Sequence, residues 1–532
     1  MLIRRLSLAA HRAAASREGS TAGPPPVDGR SAWRSHGALA AILCLLVLAQ
    51  LALTATYALR FNVWVDEAYT LHTTSAGLAE AVRRALAFEM QPPAYFAVLA
   101  VWRRFGVGIF FVRLLSMSCA ALAIPAAAWA SVRYFPRLHP AWLAAAVGFS
   151  PAALWSAAEA RPYALDLLLS VVLLGCFQAG FLAPEPSRRY RAAYAAVSLL
   201  ALYTQYYLGF LIAGNAVALA AVRGFSALGR YLAWMVPVVA GMAPLIGLVP
   251  DQVTSHTATS QPVPFGRSLA MPLVNLEMLA FGFERLPGGR AARWLVRSLA
   301  LALLLDAGRR AVLERRRIGP DARALAVTLL VAGASFAAVS VAFGHWAVLA
   351  RHTIGLLPPA LLLLLGALAG RRSLRLAALV AALLAASVAV QTAELRTMAK
   401  QGDHLRAARE IRERESPGQP ILIFPSEQAL AFAHHYHGIN RIVPLPEPAS
   451  LERYDPTTFA WRSRQQVRAV LDDALGDARE CWLITQGAER ILDYPVHPEL
   501  LESEVAERFA TLSTSSLHGD TTLRLLRRLD AP

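Results

Sequence analysis

Two adjacent carboxylates, Asp66 and Glu67, stand in the stretch FNVWVDEAYTLHTTSA, directly after an apolar run long enough to cross a bilayer. Further polar groups recur at the ends of apolar runs: Glu89 in FEMQPPAYF, Glu159, Arg161 and Tyr163 in EARPY, and Tyr203 and Gln205 in YTQYYLG. His256 follows in DQVTSHTATSQP, and Arg351 closes FGHWAVLAR. A carboxylate in such a place can deprotonate an attacking hydroxyl or help to hold a divalent metal. Arginine presents a planar fork to phosphate oxygens. Ionisable groups at a membrane boundary are costly to desolvate, so each is a functional candidate. As a set they suit the transfer of a group away from a lipid phosphate.

Each residue also has a plainer alternative. An Asp-Glu pair at a helix start can simply complement the helix dipole. Glu159 and Arg161 can form an interfacial ion pair, and Arg351 can contact lipid headgroups. Pro92-Pro93 can serve only to break one helix and start another. His256 is a lone histidine, and the aromatics at 203–207 can form an interfacial belt. Against all of these together stands the topology, which puts the whole set on one side.

The elements that position these residues are apolar helices. The chain is 56% hydrophobic and only 17% charged, where soluble domains are about a quarter charged. Spans of about 20 residues are expected at 37–59, 111–132, 140–158, 162–183, 192–204, 206–222, 231–249, 294–312, 323–343, 353–370 and 373–393. The stretch 93–106 is short and carries Arg103 and Arg104, which predicts a helix lying along the interface. The net charge of +16 comes from arginines in short loops, such as Arg133, Arg137, Arg188, Arg189, Arg223, Arg230, Arg315, Arg316, Arg317, Arg371 and Arg372. Each such loop follows an even-numbered span, as cytoplasmic loops do, so nucleic acid is not the expected partner. The loops 60–110 and 250–293, the turns at 159–161, 204–205 and 344–352, and the tail therefore face outward.

Residues 1–36, rich in Arg, Ser, Gly and Pro, read as a disordered basic cytoplasmic leader, and 37–398 as the transmembrane domain. The tail, 399–532, changes character. ILIFPS (421–426), RIVPL (441–445) and ECWLITQG (480–487) predict strands, and 462–475 a helix, giving a small extracytoplasmic α/β domain. His434, His435 and His437 have poor spacing for a three-ligand metal site, so a structural or acceptor-recognition role is expected. The four cysteines form no disulfide or metal pattern.

VDEAYT, E-x-QPP-x-YF, SPAALWSAAEARPYALDLLL, YTQYYLGFL and ARHTIGLLPPALLLL, in this order, resemble the GT-C superfamily of membrane glycosyltransferases. Bacterial members related to protein O-mannosyltransferases and lipid A aminoarabinose transferases are the nearest in pattern, over roughly residues 40–370. The resemblance implies an inverting enzyme that takes sugar from a polyprenyl phosphate to an envelope glycan, lipid or protein acceptor. It would work on the outer face of a bacterial plasma membrane. Asp66 matches the catalytic base, with Glu67 as its companion. Glu159 matches a second acidic element, and Arg351 the residue near the lipid phosphate. Arg161, Tyr163, Tyr203 and Gln205 go with Arg351 as candidate donor or phosphate-binding residues. Glu89 matches a position that binds a metal in some members, and His256 is the other candidate ligand. Two departures weaken the metal expectation: Gln91 and Gln205 stand where relatives commonly carry His, and an amide is a poor metal ligand.

The expectation is thus a polytopic α-helical membrane protein of GT-C type, with about eleven transmembrane helices and a small α/β domain at its C-terminus. A transporter or flippase of lipid-linked glycans would instead place charges in mid-span, where Asp166 is the main example. A non-catalytic envelope assembly protein is the other alternative, and it would tolerate loss of Asp66.

Overall fold

The computed structural model describes residues 29–257, 261, 263–282, 294, 298, 309, 319–344, 348–368, 378, 381–382, 384–386, 388–389, 393, 395, 400, 402–487 and 489–529. The expected spans 294–312 and 373–393 lie largely outside the described residues. Contacts divide the chain into two compact units.

The first unit is helical and takes in the chain to Ala58, Gly106–Pro250 and Pro262–Ala393. Among the described residues, six helices are long and apolar enough to cross a membrane: Gly37–Arg60, Ile109–Tyr134, Tyr163–Leu182, Phe225–Ile246, Pro320–Phe343 and Ala350–Leu368. The first is part of a longer helix, Gly29–Arg60, so residues 29–36 of the expected leader are helical. The expected span 140–158 is two short helices, Pro140–Gly148 and Pro151–Ala157. Ser150 caps the second, its hydroxyl accepting from the Ala153 N–H, and Pro151 takes the first turn where no N–H is needed. Arg188–Thr204 and Leu208–Arg223 are likewise shorter than a full span.

Small residues let these helices approach. A Cβ on Gly214 would stand 2.7 Å from the Thr328 carbonyl, so only glycine lets Leu208–Arg223 pack this closely on Pro320–Phe343. Beside that crossing runs a buried polar chain. Thr328 donates to Asn215, Asn215 to Tyr194, Tyr194 and Tyr231 share a bond of 2.9 Å, and the Tyr231 hydroxyl also lies 2.9 Å from the Ile212 carbonyl. With no water at hand, each hydroxyl must find its partner inside the bundle.

The second unit joins Leu59–Phe105 and Asp251–Gln261 to Glu394–Pro532. Its sheet is built from β1 (Ile421–Phe424), β2 (Ile442–Pro444), β3 (Glu480–Gln486), β6 (Phe509–Ser516) and β7 (Thr521–Arg528), with a separate pair β4 (Arg490–Ile491) and β5 (Tyr494–Pro495). The order is β2-β1-β3-β7-β6, parallel across the first three strands and antiparallel thereafter. β1 is buried along its whole length, as a strand covered on both faces must be. Leu422, Phe424 and Leu483 pack on one side with Val467, Leu471, Leu501 and Val505 of the helices Arg464–Leu475 and Pro498–Arg508. Ile421, Ile423 and Trp482 pack on the other with Ala407, Ile411 and Phe432 of His404–Arg414 and Ala429–His435.

The first-loop segment belongs to this unit. It folds as Val65–Thr73, Leu78–Ala87 and Ala94–Trp102. The last of these has nine residues, about 14 Å of helix, and is far too short to cross about 30 Å of hydrocarbon. Val65, Tyr69 and Phe88 pack with Leu430, Leu451 and Tyr454. Gln252 donates to the Leu86 carbonyl, and Arg453 to the Ser255 hydroxyl, which ties Asp251–Gln261 to the rest.

Candidate active site

The expected site residues fall into two groups, one in each unit. In the second unit, Trp64 caps the helix Val65–Thr73 and puts Asp66 and Glu67 in its first turn, where the helix dipole favours negative charge. Glu67 is fully buried and Asp66 partly so. The segment entering this helix is held by the C-terminal region. Asn62 donates to the carbonyls of Lys400 and Gly402, and the Val63 N–H donates to Nε2 of His435 at 2.8 Å. His435 thus helps to hold the segment that enters this helix. The Lys400 ammonium lies 5.9 Å from the Trp64 ring centre.

Glu89 joins the same helix from the next turn of chain. Its Oε1 accepts from Thr73 at 3.2 Å and Thr70 at 3.4 Å. Met90 beside it sits at φ 50°, a left-handed conformation that costs a non-glycine residue about 1–3 kcal/mol. That strained turn places Glu89 over the helix and starts Pro92-Pro93.

Two residues that the sequence did not single out complete this group. Glu427 lies in the short turn Ser426–Gln428, just past the carboxyl end of β1. Tyr454 donates to its Oε2 at 3.2 Å and Gln428 to its Oε1 at 3.3 Å. The Tyr454 ring meets Tyr69 edge-on at 6.2 Å, and Tyr69 meets Phe88 at 5.0 Å. Desolvation lifts the Glu427 carboxyl to about 7, and the Asp66 charge adds to the rise against the Tyr454 hydrogen bond. Burial raises the Tyr69 phenol, and Glu427, Asp66 and Glu89 add to that in turn. One signal could have found Glu427: ligand sites in open parallel sheets gather at the carboxyl ends of strands.

In the first unit, the break between Pro151–Ala157 and Tyr163–Phe177 carries Glu159 and Arg161, which are 1% and 3% exposed. The guanidinium of Arg161 lies 5.9 Å from the Tyr163 ring centre. That of Arg351, from the turn Ala350–Leu356, lies 5.9 Å from the same ring. The structure therefore brings together Arg161, Tyr163 and Arg351 from points far apart in sequence. Next to Arg351, His352 stacks on Tyr207 at 5.2 Å. Tyr203 donates its hydroxyl to the Gly241 carbonyl at 2.7 Å, so it ties two helices together. Gln205 is buried in the gap between Arg188–Thr204 and Leu208–Arg223.

Among the described residues, no three His, Cys, Asp or Glu side chains lie together as a metal site. The backbone of His256 is in the helix Val249–Thr257, and its side chain lies outside the described residues.

No family model and no curated protein matches the sequence. Solved structures do. The likeness is one of fold, a largely helical chain with a small C-terminal sheet domain. The chain is similar to ArnT from Cupriavidus metallidurans bound to undecaprenyl phosphate, with a TM-score of 0.53 and 14% identity, covering 91% of this chain and 97% of that one. Against ArnT in the apo state the TM-score is 0.55 and the identity 13%, over 92% and 98%.

Proposed function

We propose that the chain is an inverting glycosyltransferase that moves a sugar from a polyprenyl phosphate to a hydroxyl of an envelope acceptor. The observation that carries this is the pair of guanidiniums, Arg161 and Arg351, each 5.9 Å from the ring of Tyr163. Each guanidinium presents a planar, charged fork that matches phosphate oxygens, and two such forks reach one ring here. The similar ArnT structure holds undecaprenyl phosphate, which fits this chemistry.

In the reaction, Asp66 takes the proton of the acceptor hydroxyl while that oxygen bonds to the anomeric carbon. The bond from that carbon to the phosphate breaks, and its electron pair leaves with the phosphate. Glu67, buried beside Asp66 in the same helical turn, fixes that turn. Arg161 and Arg351 neutralise the departing phosphate, with Tyr163 keeping their planes in place. A phosphate is a competent leaving group, so the chain needs a base and an electrophilic clamp more than it needs an acid.

A divalent ion at Glu89 is the weakest part of the sequence expectation. The Glu89 carboxylate is engaged by two threonine hydroxyls, and among the described residues no three His, Cys, Asp or Glu side chains gather as a metal site. No step here passes through a metal. We place the active site on the outer face of the bacterial plasma membrane with the N-terminus cytoplasmic, as the arginine loops indicate.

The test is glycan analysis of the cell envelope with the gene present, deleted, and replaced by Asp66→Asn. Removal of a general base costs roughly 10²–10⁴-fold in rate, so the asparagine variant should resemble the deletion. An unchanged glycan in that variant, expressed at normal level in the membrane, would refute the assignment.

A further inference from the structure

The helix Tyr163–Leu182 has arginines at both of its ends. Arg161 and Arg351 meet at Tyr163, and Arg133, Arg191 and Arg223 gather at the far end, about 30 Å along the helix. Each of these three comes from a different helix: the last turn of Ile109–Tyr134, the start of Arg188–Thr204 and the last turn of Leu208–Arg223.

The end of the helix accounts for part of this gathering. Its last five residues, Gln178–Leu182, form a π-turn, and the Ala183 N–H donates back to the Gln178 carbonyl at 2.7 Å. Side chains meet the carbonyls that follow. Nε of Arg191 donates to the Gly180 carbonyl at 2.8 Å, and Arg223 donates to that of Leu182. Gly180 allows the close approach, since a Cβ there would stand 3.0 Å from the Arg191 nitrogen. The Arg191 guanidinium also lies 5.7 Å from the Phe181 ring centre. Each cap uses one N–H of its guanidinium and leaves the others for a further acceptor.

Arg133 caps no carbonyl. Its guanidinium lies 4.8 Å from the Tyr190 ring centre and 5.7 Å from that of Trp129, and it donates to the Tyr190 hydroxyl at 3.0 Å. Trp129 is in turn set by Gly175, where a Cβ would fall 2.0 Å from its ring. A fork held in this way needs little further ordering to bind. Among the described residues no carboxylate pairs with Arg133, Arg191 or Arg223. Arg223 is exposed and the other two are half-buried, so the group can be reached from outside the bundle. Phe225, two residues beyond Arg223, is 84% exposed, as aromatics at a bilayer boundary are.

We infer that this end of the bundle binds the phosphate of an anionic phospholipid. The planar forks match phosphate oxygens, and basic pockets between membrane helices hold anionic headgroups. The arginine loops put the site on the cytoplasmic side, a helix length from the proposed donor phosphate, so the lipid held here is not the sugar donor. The bound headgroup takes up the N–H groups left by the caps and ties three helices to the end of Tyr163–Leu182. The inference does not depend on Asp66 being a base.

Native mass spectrometry of the full-length protein tests the site, after delipidation in detergent and titration with phosphatidylglycerol, phosphatidylcholine or inorganic phosphate. The wild type should hold phosphatidylglycerol in preference to phosphatidylcholine. An arginine beside a membrane surface contributes about fivefold to such binding, so Arg133→Gln should weaken phosphatidylglycerol about fivefold, and Arg133→Gln with Arg223→Gln about 25-fold. Arg133→Lys keeps the charge but loses the fork, so it should fall between the wild type and Arg133→Gln, and it serves should the glutamine variants fail to fold. The control is Arg188→Gln with Arg189→Gln, which removes two exposed charges from the same end of the bundle and should change binding by less than about twofold. Equal binding of the two lipids, or equal losses in the control and in the Arg133 and Arg223 double variant, overturns the proposal in favour of general surface charge. Inorganic phosphate that displaces the lipid at equal concentration overturns it in favour of a soluble anion. Envelope glycan plays no part in these readouts, so the proposed glycosyl transfer and the lipid site stand or fall separately.

Discussion

Asn62 and Lys400, 338 residues apart, exchange two hydrogen bonds as neighbouring strands do: the Lys400 N–H donates to the Asn62 side-chain oxygen at 2.6 Å, and the Asn62 amide donates to the Lys400 carbonyl at 3.3 Å. The same amide donates to the Gly402 carbonyl at 2.8 Å. Both residues are almost completely buried. The side chain of Asn62 thus serves as a clasp between the first-loop segment and the C-terminal region, just ahead of Asp66.

Asn62→Ala opens this clasp and leaves buried backbone groups without it, at a cost of about 1–3 kcal/mol. Hydrogen exchange of the full chain should accelerate around residues 62–73 and 400–404 and leave the helix Ile109–Tyr134 unchanged. Asn62→Asp keeps the acceptor for Lys400 but loses the donor, so it should fall between the two. Equal exchange in all three proteins would show that the clasp holds nothing.

Replacing Arg351 by lysine keeps the charge and removes the planar fork and the stacking on Tyr163. A hydrogen bond to a charged group is worth about 1.5–3 kcal/mol, so kcat/KM for the lipid-linked donor should fall roughly 10- to 100-fold. Arg161→Lys should fall by a similar factor, and the double variant by less than the product, because the two meet at one ring and, in the proposed reaction, act on one phosphate. Transfer assays in membranes with a titrated donor check this. Strictly multiplicative losses would mean that the two arginines act on different groups.

Because Glu89 is bound by Thr70 and Thr73, its main work is to hold the helix Val65–Thr73 against the strained turn at Met90. Treatment of membranes with EDTA should therefore leave the transfer rate within about twofold, and Glu89→Gln, which still accepts from both threonines, should keep most of it. A rate that collapses on chelation and returns with added Mg²⁺ or Mn²⁺ would restore the metal expectation at this position.

Much of the tail could be read from residue order alone. The expected strands 421–426, 441–445 and 480–487 correspond to Ile421–Phe424, Ile442–Pro444 and Glu480–Gln486, because buried parallel strands are short apolar runs bounded by turn residues. The last two strands were missed. FATLSTSS has too few apolar residues to show alternation, and it is stabilised by pairing with Thr521–Arg528. Ser150-Pro151 is a helix start in the middle of an apolar run, and hydropathy alone hides it. In the site, Asp66 and Glu67 stood out because charge is rare beside a span. Glu427 did not, because an acid in a polar tail is usually solvated, and only the packing of Leu430 and Tyr454 on the first-loop helix ties it to that helix. The meeting of Arg161 with Arg351 was equally invisible to spacing, since a loop-to-loop contact leaves no periodic trace.

His404 gives the C-terminal region an acid-side weakness. It is 1% exposed, its Nε2 pairs with the Gln428 oxygen at 3.0 Å, and its Nδ1 makes no hydrogen bond among the described residues. Burial lowers its pKa from 6.5 to about 4, with the bond to Gln428 opposing. The unfolded chain therefore takes up this proton first. The stability it contributes is present above the unfolded value of about 6.5 and is lost as pH falls toward 4, reaching about 3 kcal/mol in all. Glu427 has the opposite sign, because its folded value of about 7 lies above the ordinary carboxylate value of 4.5: its contribution is present at low pH and lost as pH rises toward 7. A wild-type curve alone mixes the two, so the comparison is with His404→Gln, which cannot take the proton. Between pH 6.5 and 4 the wild-type Tm should fall further than that of the variant, while above pH 7 the two curves should run parallel. Parallel curves throughout would show that His404 titrates as an exposed histidine does, and that the layer between the helix His404–Arg414 and Gln428 is open to water.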